Sequence, residues 1–199
     1  MAGTERLQRL GWLPIALLLV SPANALAGQH ELRVRIRNQA AISENVLRDA
    51  QTRVERVFGA AGIQIHWINL AESDERGAAM PLIVTVLPDM PTALRKLSSQ
   101  ALGYTPLAHP ADLWESAILA SRVFQIAQAT GITKQVVLGA AIAHELGHLL
   151  LQTSTHSASG IMHASFARSD LESAARDGLL FLPEQARRLR ASIEADLQR

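Results

Sequence analysis

The sequence predicts a single α+β domain, and three segments carry that prediction. Residues 30–38 alternate between apolar and polar or basic side chains, which is typical of an edge strand or of a strand with one solvent-facing side. Residues 81–87 are apolar or β-branched throughout, as expected of a buried central strand. Residues 136–151 form a long, mostly apolar run without proline, which favours a buried helix. The length of 199 residues fits one domain.

The remaining elements follow from caps, apolar periodicity and turn residues. Ser43 and Thr133 fit helix N-caps, and Gly131 fits a helix C-cap. The expected elements are a helix over 44–59, a strand over 63–68, a helix over 121–130 and a last amphipathic helix that begins at Pro183.

His144, Glu145 and His148 form an H-E-x-x-H pattern inside the long apolar helix. Residues four apart lie on one helix face, so two imidazoles can reach the same metal ion. Zinc takes nitrogen ligands at about 2.0–2.1 Å, and catalytic zinc sites keep one position for water. Glu145 can lie beside that water and accept its proton without being a ligand. Ionisable groups in an apolar helix are costly unless paired or bound to metal, which disfavours two plain core histidines.

Gly147 breaks the helical preference of the same segment. Glycine inside a helix costs about 1 kcal/mol relative to alanine. We therefore expect another stretch of backbone to approach the helix closely at this residue.

The segment after the helix contains His156, Ser157 and then Gly-Ile-Met at residues 160–162. With the H-E-x-x-H pattern, residues 143–166 resemble the metzincin clan of zinc peptidases, and matrixins in particular. They resemble more closely a group of short secreted bacterial zincin-like proteins with H-E-[LI]-G-H-L-L-L followed by H-S-x-x-G-I-M. The resemblance implies a zincin domain with a twisted, mostly parallel mixed sheet, two long helices, a methionine turn at Met162 and a C-terminal helix. It also implies Zn²⁺ as cofactor and a peptide or protein as substrate.

The third zinc ligand is where this sequence departs from that family. Two histidines leave zinc under-coordinated, because catalytic sites normally supply three protein ligands. The resemblance implies that His156 is the third, although it follows His148 by eight residues instead of six. A loop can absorb the extra residues. Two alternatives stay open: Glu172, which would give a His-His-Glu site of the thermolysin sort, and His163.

The resemblance also bears on the substrate cleft. In zincins an edge strand above the cleft carries the substrate backbone, and residues 88–110 or 114–119 should supply that strand. No tyrosine follows Met162, and His163 stands in its place. His163 is therefore also a candidate for stabilising the oxyanion.

Residues 1–27 have the pattern of a secretory signal peptide. Two arginines precede an apolar stretch at 11–20, and Ala-Leu-Ala at 25–27 fits a cleavage site. The apolar stretch is too short to span a bilayer, which needs about 20 residues. We expect residues 28–199 to form the mature domain, secreted or periplasmic and without membrane attachment after cleavage.

The charge and the cysteine content exclude several classes of partner and regulation. Without residues 1–27 the chain keeps 17 of its 19 basic residues and 17 of its 18 acidic residues. This balance gives no indication of a nucleic acid or an anionic membrane as partner. The absence of cysteine excludes disulfides and a matrixin-type cysteine switch. A domain of this size can bury a sufficient core without them, and we expect a monomer.

Together these observations predict a secreted zinc metalloendopeptidase in which Glu145 is the general base. Two other classes stay open. One is a zincin-like protein that binds zinc, cleaves nothing and acts as a binding module; the intact Glu145 argues against it, whereas the shifted histidine argues for it. The other is a structural domain without metal.

Overall fold

The computed structural model describes residues 30–68, 81–92, 101–106 and 114–196. The strands in these residues are β1 His30–Asn38, β2 Ile63–Ile68, β3 Leu82–Leu87, β4 Gly103–Tyr104 and β5 Glu115–Leu119. The helices are α1 Glu44–Ala60, α2 Ala120–Thr130, α3 Lys134–Leu151, α4 Arg168–Ala175 and α5 Pro183–Asp196. The signal peptide expected over residues 1–27 lies outside the described residues and stays a prediction.

The five strands form one sheet in the order β2-β1-β3-β5-β4. All neighbouring pairs are parallel except β4 and β5, which are antiparallel. The predicted α+β class with a mostly parallel mixed sheet is therefore confirmed. β3 lies at the centre, as its continuous apolar sequence predicted. β1 lies between β2 and β3, so it is an interior strand with one wetter face and not an edge strand.

The core lies between the sheet and two long helices, α1 and α3. The helices approach closely at Gly139, where an added Cβ would lie 3.0 Å from the carbonyl oxygen of Ala50 and 3.0 Å from Cβ of Arg53. From Val136 to Leu151, α3 is buried on all sides, as a helix that is apolar all round should be. In the described part of the chain, no helix has both the length and the apolarity to cross a membrane.

The three predicted caps lie at helix ends, but the two N-cap side chains do not make the hydrogen bonds that such residues usually make. Ser43 and Thr133 occupy the N-cap positions of α1 and α3 with extended backbone, yet neither side chain makes a capping hydrogen bond. Gly131 ends α2 in the left-handed conformation with φ of 72°, and its N–H donates to the carbonyl oxygen of Ala127. That is the αL arrangement predicted for this glycine.

Candidate metal centre

The second half of α3 holds a cluster of buried polar side chains. His144, Glu145 and His148 are 9%, 5% and 6% exposed. Of the described residues, the only other buried polar or charged ones are Thr85 and Ser116, both in the sheet. Buried ionisable groups need partners or a metal, because desolvation is costly. Packing alone therefore does not explain why these three residues stand in an otherwise apolar part of the helix.

Backbone carbonyls orient both helical histidines. Nδ1 of His144 lies 2.8 Å from the carbonyl oxygen of Ile161, and Nδ1 of His148 lies 2.6 Å from that of Thr153. A carbonyl can only accept, so Nδ1 carries the proton in each ring. The Nε2 atom of each ring then keeps a free lone pair, which is the tautomer that metal-binding histidines normally have.

The end of α3 brings the third histidine to the same place. Gln152 adopts the left-handed conformation with φ of 48°, and its N–H donates to the carbonyl oxygens of His148 and Leu149. This turn directs the chain back, so that the carbonyl of Thr153 faces the ring of His148. His156 follows in the loop, exposed at its outer side.

The Nε2 atoms of the three histidines converge. Nε2 of His148 lies 2.9 Å from Nε2 of His144 and 3.2 Å from Nε2 of His156. Nitrogens that ligate one tetrahedral zinc at 2.0–2.1 Å are about 3.3 Å apart, close to both distances. Two unprotonated nitrogens at such a distance repel each other unless a cation lies between them. The three histidines are therefore a set that can bind zinc.

The two other candidates for the third ligand lie outside the cluster of converging nitrogens. Glu172 on α4 is partly exposed and accepts a hydrogen bond of 2.9 Å from Nε of Arg168. Nδ1 of His163 lies 3.0 Å from Oδ2 of Asp170. The structure thus brings His156 to the two helical histidines and leaves both alternatives outside the cluster, while the identity of the ligands stays a prediction.

The loop from 157 to 163 packs against α3 and is held by backbone hydrogen bonds. The N–H of Ser157 donates to the carbonyl oxygen of Met162, and the N–H of Ile161 donates to that of Leu180. The nitrogen–oxygen distance is 2.9 Å in both hydrogen bonds. Gly160 has φ of 78°, and an added Cβ would lie 2.7 Å from the carbonyl oxygen of Leu180. Both the conformation and the space therefore require glycine in the Gly-Ile-Met sequence.

Met162 is fully buried and lies beneath α3. A Cβ added at Gly147 would lie 2.5 Å from Sδ of Met162 and 2.9 Å from Cε1 of Phe181. The expectation that another backbone approaches Gly147 is therefore wrong, because two large side chains occupy the space instead. That Met162 belongs to a metzincin-type methionine turn stays a prediction.

Glu145 lies on α3 against the edge strand β4. Oγ1 of Thr105 donates to Oε2 of Glu145 over 2.7 Å. Burial raises the pKa of Glu145 from 4.5 to about 7, and the hydrogen bond from Thr105 opposes that rise. Nothing in the sequence pointed to Thr105, because it stands 40 residues before Glu145 in a proline-containing segment without periodicity.

Burial also acts on the histidines. It lowers the pKa of His144 from 6.5 to about 4, although the hydrogen bond to Ile161 opposes the effect. Burial lowers the pKa of His148 and of His156 as well, and His163 adds to the effect at His156. The histidines are therefore neutral at neutral pH, which is the form that binds metal.

A cavity of about 710 Å³ opens over the three histidines and Glu145. Edge strand β4 borders it, so the strand expected beside a cleft comes from residues 88–110, and β5 is interior. Its other walls are mostly apolar: Met90, Leu102, Ile126, Ala141 and Phe166. Phe166 also packs edge-on against the His144 ring, with centroids 5.6 Å apart. Sequence reasoning gave no role to Tyr104 and Phe166, which line the same cavity.

Comparison with known proteins bears on the fold. A crystal structure of a zinc-dependent peptidase from Methanocorpusculum labreanum (strain Z) matches with a TM-score of 0.51 and 14% sequence identity. The chain shares its fold with a zinc-dependent peptidase. The match covers 78% of this chain and 99% of that chain. No protein-family model and no curated protein matches the sequence. The likeness is consistent with the zincin-like fold that the sequence predicted.

Proposed function

We propose that this protein is a zinc-dependent metalloendopeptidase with a metzincin-like active site. One observation carries the proposal: three histidine Nε2 atoms converge beside a buried glutamate at the base of an open cavity. The fold shared with a zinc-dependent peptidase supports it. The H-E-x-x-H pattern, His156 and the Gly-Ile-Met sequence support the metzincin-like assignment within that fold.

Each residue then has a defined role. His144, His148 and His156 hold zinc, which when bound polarises the scissile carbonyl and increases the acidity of the attacking water. Glu145 accepts the proton of that water and passes it to the leaving amine. The hydrogen bonds from His144 and His148 to backbone carbonyls hold the rings in place.

We assign His163 to the oxyanion. It lines the cavity, and Oδ2 of Asp170 accepts from its Nδ1 as well as from the N–H of Ala167. Asp170 thus leaves Nε2 as the ring nitrogen available to a substrate. In the protonated form of His163 this nitrogen donates a hydrogen bond, and Asp170 balances the charge.

Incubation of the purified protein with a peptide library, with and without a chelator, tests the proposal. We expect cleavage that the chelator abolishes and added Zn²⁺ restores. Glu145→Gln should keep near wild-type zinc and lose turnover by about 10²–10⁴-fold, because loss of a general base has that effect. Cleavage that survives complete removal of metal would contradict the proposal. Full zinc occupancy without cleavage of any peptide would indicate that the protein is a zinc-binding module and not a peptidase.

We also propose export with cleavage before Gly28. The support is the basic, apolar and Ala-Leu-Ala pattern of residues 1–27. The intact mass of the protein recovered outside the cytoplasm should correspond to residues 28–199. A mass that includes residues 1–27 would indicate an anchored protein instead.

A further inference from the structure

We propose that Thr105 is the positioning residue for Glu145: its hydroxyl fixes the carboxylate in the orientation that proton transfer needs. This inference rests on the proposed function, since it concerns the general base of that reaction. It adds a residue that lies outside the H-E-x-x-H sequence and on a different element.

The hydrogen bond from Thr105 to Glu145 is short, and within the described residues no other side chain forms a hydrogen bond with this carboxylate. Oγ1 of Thr105 lies 2.7 Å from Oε2 of Glu145 and 3.2 Å from the carbonyl oxygen of the same residue. A hydroxyl has one proton, and the shorter contact to the carboxylate is the stronger, charge-assisted one. Within the described residues, no cation forms an ion pair with Glu145 and no second side chain donates to it.

The last torsion of a glutamate side chain is broad, so burial alone does not select one orientation of the carboxylate. A donor on Oε2 removes that freedom and leaves Oε1 available for another proton. Thr105 therefore determines which oxygen of Glu145 acts as the base.

Strand β4 is built to lie against this carboxylate. A Cβ added at Gly103 would lie 2.8 Å from Cγ and 2.9 Å from Oε1 of Glu145, and 2.5 Å from the carbonyl oxygen of Ala117. Thr105 follows Gly103 by two residues, and both residues lie against the side chain of Glu145. Gly103 thus makes room for the carboxylate, and Thr105 holds it.

The test compares Thr105→Val, which keeps the shape and loses the hydroxyl, with Thr105→Ser, which keeps the hydroxyl. We expect Thr105→Val to lower kcat by about 10–100-fold, as loss of a partner that orients a functional group does. KM and zinc content should stay close to wild type, and Thr105→Ser should recover most of kcat. If Thr105 had only a structural role, its loss would not lower kcat while leaving KM and zinc content unchanged, and serine would not restore kcat.

Thr85→Val is a matched control. Oγ1 of Thr85 donates to Oε1 of Glu115 over 2.6 Å, so the variant loses the same kind of hydrogen bond in the buried sheet. We expect its kcat to equal that of wild type. In the Glu145→Gln background, Thr105→Val should not lower kcat further, because both substitutions act through the Glu145 side chain.

Wild-type kcat in Thr105→Val, loss of zinc, or failure of serine to rescue would each overturn the inference. Crystal structures of Thr105→Val and wild type give a readout that does not depend on turnover. We expect the Glu145 carboxylate to rotate in the variant, and an unchanged orientation would overturn the inference as well. Absence of any cleavage by wild type would instead refute the proposed function, and the crystal structures would still decide the role of Thr105.

Discussion

The two helical histidines and the loop histidine reach the same point by different means. His144 and His148 are buried, and backbone carbonyls hold their rings. His156 is exposed, and within the described residues its Nδ1 makes no hydrogen bond. Backbone hydrogen bonds therefore orient the helical pair, whereas the third histidine lies on a loop.

The spacing of the loop histidine is less constrained by the fold than the spacing of the helical pair. The helix sets the spacing of His144 and His148, because residues three or four apart lie on the same helix face. The loop after Gln152 can change length without moving the helix. A histidine eight residues after His148, instead of the six that the family resemblance implies, is thus compatible with the same cluster.

The largest expected effect is the loss of zinc when a ligand is replaced, and it separates the two regions. His144→Ala and His156→Ala should each lose most bound zinc on dialysis, as measured by metal analysis. In the zinc-free state only His144→Ala should unfold more easily, by about 1–3 kcal/mol, because it leaves the buried carbonyl of Ile161 without a donor. Denaturant unfolding measures this difference.

Glu172→Ala and His163→Ala are the controls for the ligand set, and both should retain zinc. Full zinc in His156→Ala would contradict the three-histidine site. Loss of zinc in Glu172→Ala would replace it with a His-His-Glu site.

The second effect tests how strongly the helical region is desolvated. Burial raises the pKa of Glu145 from 4.5 to about 7, so the folded protein holds a proton that the unfolded chain loses in this range. Stability contributed by Glu145 therefore falls as pH rises from 4.5 to 7. In zinc-free protein, Glu145→Gln should be more stable than wild type by on the order of 3 kcal/mol at pH 8 and less than about 1 kcal/mol at pH 5.

Chelator-treated protein unfolded by denaturant at both pH values gives this comparison. Glu172→Gln, which makes the same substitution at a partly exposed carboxyl, is the control. A stability difference for Glu145→Gln that is the same at both pH values would show that Glu145 is not desolvated.

The smallest effect concerns the contact between the two regions at Gly147. Gly147→Ala should destabilise the protein by about 1–3 kcal/mol, because Met162 and Phe181 occupy the space of the new methyl group. Gly59→Ala, also in a helix but with nothing within 4 Å, should stabilise it by up to about 1 kcal/mol. Thermal unfolding of both variants measures whether each substitution lowers or raises the stability of the protein. Stabilisation in both would mean that Met162 does not pack as described.

The helical part of the site was predictable because its pattern is local. The spacing of His144 and His148 and the apolar run around them were sufficient to place two imidazoles on one face of a buried helix. The central position of β3 followed from its apolar sequence, and the mostly parallel mixed sheet followed from the family resemblance. Each of these predictions depends on neighbouring residues or on a short motif.

The rest of the site depends on contacts between distant residues. No pattern relates Thr105 to Glu145 across 40 residues, or Asp170 to His163 through a turn. The side chains beneath Gly147 were also unpredictable, since a helical glycine indicates a close approach without showing whether backbone or side chains make it. The choice of the third ligand also depended on the path of the loop after α3. The length of the loop does not define that path, so the sequence left three candidates: His156, Glu172 and His163.

Zinc K-edge X-ray absorption of the purified wild-type protein tests directly whether three histidines bind zinc. We expect four nitrogen or oxygen ligands at about 2.0–2.1 Å, with the multiple-scattering signature of three imidazoles. In His156→Ala that signature should correspond to two imidazoles in whatever zinc remains. Two imidazoles and a carboxylate in wild type, or no bound zinc at all, would contradict the three-histidine site.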